Sequence, residues 1–144
     1  MPRFTLKRSR LSALSTGALI LVVLIVLITT MTPVGTGPPS DTEDVCALGL
    51  PCVVGHVVLF GVLGLAAGAR YAASAAAVAS PRRVLGMVFI AIWIFAAVDE
   101  LAQEYWIEGR GGQLSDWGAD MIGAVIGLAL TGPLMRGLVR VRGD

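Results

Sequence analysis

Long apolar runs alternate with short polar ones along this chain, and the runs share one length scale. Residues 11–31 are the densest, with LILVVLIVLI at their centre. Residues 53–73 form a second run, diluted by Gly and Ala, residues 84–103 a third and residues 116–135 a fourth. A helix that crosses a bilayer needs about 20 mostly apolar residues. The pattern therefore predicts an all-α membrane protein, a single domain over 1–144 with four transmembrane helices. The Ala-rich stretch 72–79 extends the second helix toward Ser80–Pro81, which ends it.

Composition agrees with this pattern. The chain has 144 residues, 56% of them hydrophobic and 15% charged, which is too apolar for an ordinary soluble domain. A net charge of +1 and the lack of a basic, aromatic-interleaved stretch give no reason to expect nucleic acid as a partner. Membrane lipids are the expected surroundings.

The charges also orient the spans. Arg3, Lys7, Arg8 and Arg10 precede the first, and Arg70, Arg82 and Arg83 flank the second connection. Arg136, Arg140 and Arg142 follow the fourth, and only Arg110 lies on the opposite side. By the positive-inside rule both termini are cytoplasmic and the protein is multi-pass in a plasma membrane. The acids mirror this, since all but Asp144 fall on the outer side. A basic leader and an apolar run also describe a signal peptide. Here the run is long and Thr29–Thr30–Met31 is a poor cleavage site, so an uncleaved anchor is expected.

The outer segment 32–52 carries Pro33, Gly35, Gly37, Pro38 and Pro39, then Asp41, Glu43 and Asp44, and reads as an irregular loop. It contains the only two cysteines, Cys46 and Cys52. Outside the membrane they can form a local disulfide; the alternative is two partly buried thiols.

Polar residues collect at the outer end of the last three spans. His56 lies in the first turn of the second span, and Asp99, Glu100 and Gln103 lie in the last turns of the third. Asp116 opens the fourth span, Asp120 is one turn deeper, and Arg110 lies in the loop between them. Ionisable groups near hydrocarbon are costly and call for a partner or a function. Asp99 and Gln103, Glu100 and Glu104, and Asp116 and Asp120 are i, i+4 neighbours. Glu100, Gln103 and Asp120 are expected to point inward, with Glu104 and Glu108 at the headgroup level. Several of these residues also have plainer roles. Ser115 can cap the fourth helix, which would account for Asp116. Arg110 can pair with Glu104, Glu108 or Asp116, and His56 can simply hydrogen-bond across helices. Tyr105, Trp106 and Trp117 suit an interfacial aromatic belt, and Trp93 suits packing. Gly64 and Gly68, and Gly123 and Gly127, are GxxxG pairs that would draw the second and fourth helices together and bring His56 toward Asp116 and Asp120.

The order of these motifs resembles the VanZ-like membrane proteins. His56 followed by VVLFGVLGL resembles their H-F-x-x-[YF]-x-x-L-G segment. DELAQ at 99–103, then Arg110, then DWGADMIG at 116–123 resembles their D-E-x-x-Q…R…D-x-x-x-N-x-x-G signature. The resemblance covers roughly residues 53–130. Two departures alter the charge balance. Cys52 and Val53 stand where the family often has Asp-Lys, and Asp120 stands where it has Asn. The resemblance implies a bacterial cell-envelope protein, related to a teicoplanin-resistance accessory protein of gram-positive bacteria.

Two functions compete at this level. The leading one is a non-enzymatic protein that binds a lipid-linked envelope precursor, a lipoglycopeptide or another amphiphile at the outer leaflet. Its candidate ligand-binding residues are His56, Asp99, Glu100, Gln103, Arg110, Asp116 and Asp120. Arg suits phosphate or carboxylate by its planar fork. The alternative is a metal-dependent hydrolase of envelope lipids, with His56, Glu100, Asp116 and Asp120 as ligands. Their spacing matches no zinc signature such as H-E-x-x-H, so no cofactor is expected. A Ser115–His56 nucleophilic pair is weaker still, because no nucleophile-elbow sequence surrounds the serine. A proton or ion pathway ranks last, since the cytoplasmic half has no polar relay.

Overall fold

The structure, a computed structural model, describes residues 3–32, 51–72, 80–107 and 112–141. Its architecture is four helices: α1 (Arg3–Thr30), α2 (Cys52–Ala72), α3 (Pro81–Trp106) and α4 (Leu114–Val141). Among the described residues, three stretches are long and apolar enough to cross a membrane: Ser12–Thr30, Cys52–Tyr71 and Arg82–Trp106. The fourth helix carries Asp116 and Asp120 in its first two turns and Pro133 in its interior, and is not among them. The helices overrun the apolar runs by as much as two turns. α1 begins within the basic leader and α3 runs on to Trp106. Pro81 opens α3 from Ser80, where a missing N–H costs no helical bond.

The bundle is apolar outside, and inside it an apolar core adjoins buried polar side chains. Leu21, Ile28, Val58, Ile90, Ile94, Leu101 and Ile122 are exposed, as lipid-facing side chains would be. The core is Val26, Phe60, Leu63, Ala67, Ile92, Ala96, Ala124 and Leu128. Phe60 and Phe95 meet in it with ring centroids 6.0 Å apart.

α2 touches all three other helices and packs most extensively on α4. The two run parallel, because Val57 and Gly61 meet Gly123, Gly61 meets Gly127, and Gly68 meets Thr131. Glycine is required along this seam. A Cβ on Gly64 would lie 2.5 Å from the carbonyl oxygen of Ala124. One on Gly123 would run into the carbonyl of Val57, and one on Gly127 into that of Gly61. The close contact expected from the two GxxxG pairs is therefore present, with Gly61 as a further member. Its consequence is local: with backbones this close, the first turns of α2 and α4 can place short side chains against each other.

Candidate functional site

Four helix ends meet at one end of the bundle: the C-termini of α1 and α3 and the N-termini of α2 and α4. Each contributes polar side chains to a buried cluster. His56, Asp99, Glu100, Gln103, Asp116, Asp120 and Thr30 are all buried, with exposures between 0% and 7%.

The cluster has two halves. In one, Asp99 is saturated by short-range donors. Thr30 of α1 donates its hydroxyl to Asp99 Oδ1 at 3.0 Å, and Gln103 donates its amide to Asp99 Oδ2 at 3.1 Å. Thr30 Oγ also lies 2.8 Å from the Val26 carbonyl one turn back. In the other half, His56 sits among three carboxylates. Its Nδ1 lies 2.8 Å from Asp120 Oδ1 and 3.8 Å from Glu100 Oε1, and its Nε2 lies 3.7 Å from Asp116 Oδ2. Among the described residues, three buried polar atoms of this half have no hydrogen-bond partner: His56 Nε2, Glu100 Oε1 and Asp120 Oδ2. Buried polar groups are normally satisfied, so atoms left over in one place need an explanation.

The connection between α3 and α4 is tied back by the same acids. Glu100 Oε2 accepts the Gln113 backbone N–H at 2.9 Å, and Glu104 Oε2 accepts that of Gly112 at 2.7 Å. These carboxylates are one helical turn apart and hold consecutive amides. Gly112 approaches so closely that a Cβ there would lie 2.6 Å from the Glu100 carbonyl oxygen. Beside this tie lies a cavity of about 360 Å³. Ala97, Leu101, Leu114 and Trp117 form its apolar wall, and Glu100 and Glu104 its polar edge. Glu100 thus belongs both to the cavity and to the histidine cluster.

Several expectations change on this geometry. Glu100, Gln103 and Asp120 are buried as expected, and Asp99 is buried as well, because Thr30 reaches it from α1. Capping does not account for Asp116. The helix starts at Leu114, so Ser115 lies inside the first turn, exposed and bonded to Gln113 Oε1 at 3.3 Å. Asp116 is instead buried facing His56. Trp117 is not in an exposed belt: it is half-buried, its ring 5.8 Å from that of Trp93. Tyr105 and Trp106 are exposed, as an interfacial belt requires. Glu104 is exposed as expected, and in addition holds Gly112. Thr30 carried no sequence signal beyond its place at the end of the first run.

Glu108 and Arg110 lie outside the described residues, as does most of the outer loop. Cys52 is half-buried at the start of α2, while Cys46 lies outside the described residues, and with it the pairing of the two. Comparison with protein-family models, curated proteins and solved structures finds no match for this chain.

Proposed function

We propose that this chain is a four-span, VanZ-like protein of the bacterial plasma membrane, with both termini cytoplasmic, that binds an amphiphile at the outer leaflet. The positive-inside distribution of Lys and Arg supports the orientation. The outward apolar face of α4, with Ile122, Val125, Ile126 and Leu130, supports a fourth span. The DELAQ…R…DWGADMIG order supports the family.

The observation that carries the ligand reading is that Glu100 lines the 360 Å³ cavity and also belongs to the buried cluster. Binding pockets are typically a few hundred Å³, mostly apolar, with a few polar groups that fix orientation. Here the apolar wall suits an acyl or polyprenyl chain. The carboxylates at its edge can accept sugar hydroxyls of a headgroup. Exposed Tyr105 and Trp106 at the same end of α3 are the side chains favoured where headgroups begin. Such a ligand is a lipid-linked envelope precursor or a lipoglycopeptide of the teicoplanin type. Ser115 is exposed and bonded to Gln113, which gives a serine nucleophile no support.

The test is binding of a fluorescent polyprenyl-phosphate-linked sugar by the full chain in nanodiscs. Ala97→Phe, which fills the cavity, should weaken binding about tenfold, equivalent to about 1.4 kcal/mol. Glu100→Gln should weaken it as well. Wild-type binding by both variants, or no binding by the wild type, would refute the assignment.

A further inference from the structure

The unpartnered atoms around His56 carry an inference that does not depend on any amphiphile. We infer that His56, Glu100 and Asp116 form a binding site for one divalent transition-metal ion, of the Zn²⁺ or Mn²⁺ class, inside the helical bundle.

The ligand geometry comes first. One potential ligand atom from each residue lies within 4.8 Å of the other two, and all three residues are buried. Ions of this class bind nitrogen and oxygen at about 2.0–2.2 Å, which puts neighbouring ligand atoms about 3.4 Å apart around a tetrahedral centre. His56 Nε2 and Asp116 Oδ2, at 3.7 Å, are already close to that separation. Glu100 offers the third ligand atom of this group, within 4.8 Å of the other two.

Unsatisfied atoms provide the second, independent observation. His56 is 2% exposed and its Nε2 has no partner; Glu100 is 7% exposed and its Oε1 has none. In both residues the other polar atom is fixed. His56 Nδ1 is 2.8 Å from Asp120 Oδ1, and Glu100 Oε2 accepts the Gln113 N–H. A proton on Nδ1, donated to Asp120, leaves the Nε2 lone pair free. This carboxylate–histidine arrangement orients the ring of metal-binding histidines and raises their basicity. Asp120 is therefore a positioning residue, and the Asn found at its place in VanZ-like proteins would supply a weaker acceptor.

Charge balance points the same way. Among the described residues, His56 is the basic partner of three carboxylates: Glu100, Asp116 and Asp120. Burying that excess of negative charge is expensive unless it is compensated. A dication compensates it at the point where the atoms are unsatisfied. The imidazole ligand favours zinc or iron and the two carboxylates also suit manganese, whereas magnesium and calcium prefer all-oxygen shells.

The test is Zn²⁺ binding by the full chain, purified in detergent, stripped with chelator and titrated calorimetrically. Mn²⁺ titration followed by paramagnetic resonance provides a second readout. The wild type should bind one ion per chain. Glu100→Gln and Asp116→Asn keep side-chain volume and should each weaken binding at least about tenfold, while Asp120→Asn should weaken it about 10–100-fold without changing the stoichiometry. Thr30→Val, in the other half of the cluster, should bind as the wild type does. The thermal unfolding of each metal-free variant separates lost binding from lost folding. No saturable binding by the wild type, or unchanged binding in folded Glu100→Gln and Asp116→Asn, would overturn the inference and leave the cluster balanced by protons.

Discussion

Asp99 and Glu100 are adjacent in the chain, equally buried, and differently treated. Asp99 receives a hydroxyl from Thr30 on one oxygen and an amide from Gln103 on the other. Glu100 receives one backbone N–H and keeps a bare oxygen 3.8 Å from His56. A fully satisfied buried carboxylate rigidifies a fold; a partly satisfied one is unfavourable to stability on its own account. The contrast separates a structural half, which locks α1 to α3, from a half whose atoms await a ligand. Sequence proximity conceals it, because successive helical residues point about 100° apart and so meet different neighbours.

Four substitutions probe this division. The largest effect is expected where both halves depend on the same seam. Gly127→Leu drives a side chain into the Gly61 carbonyl and should cost about 3 kcal/mol in reversible unfolding, the upper end of ordinary overpacking. Both halves should fail together. Asp99→Ala strands the buried Gln103 amide and should cost about 1–3 kcal/mol, with Zn²⁺ binding retained in the folded fraction. Thr30→Val removes one bond to Asp99 and should cost about 1 kcal/mol, measured in the same way. Glu100→Gln should leave stability within about 1 kcal/mol of wild type, because it removes a buried charge while its carbonyl can still accept the Gln113 N–H. Equal destabilisation by Asp99→Ala and Glu100→Gln would erase the distinction between the halves.

Much of this arrangement was legible in the residues. Hydropathic length located the helices, and GxxxG spacing identified the α2–α4 seam, because both depend on local pattern. The residues of the cluster were also identifiable, since ionisable side chains at the end of an apolar run stand out. Partnerships were not legible. Thr30 looked like the last residue of a span, and only the meeting of the C-terminal ends of α1 and α3 brings it to Asp99. Asp116 does lie in the first turn of α4, where an acid suits the helix dipole, but Ser115 is not its cap. The helix starts at Leu114, one residue ahead of that serine, and this turns Asp116 toward His56. Trp117 looked interfacial because aromatic residues cluster near Tyr105 and Trp106, yet its ring packs on Trp93. In each case a local role was chemically adequate, and a tertiary neighbour was added to it or displaced it.

The most direct test of the two-halves account is the stabilisation that Zn²⁺ confers on three forms of the full chain: wild type, Asp99→Asn and Glu100→Gln. An ion that binds only the folded state at 100 times its dissociation constant stabilises that state by about 2.7 kcal/mol. The account predicts a similar rise in Tm for wild type and Asp99→Asn, whatever their starting values, and none for Glu100→Gln. An equal rise in all three, or a rise lost in Asp99→Asn and kept in Glu100→Gln, would contradict it.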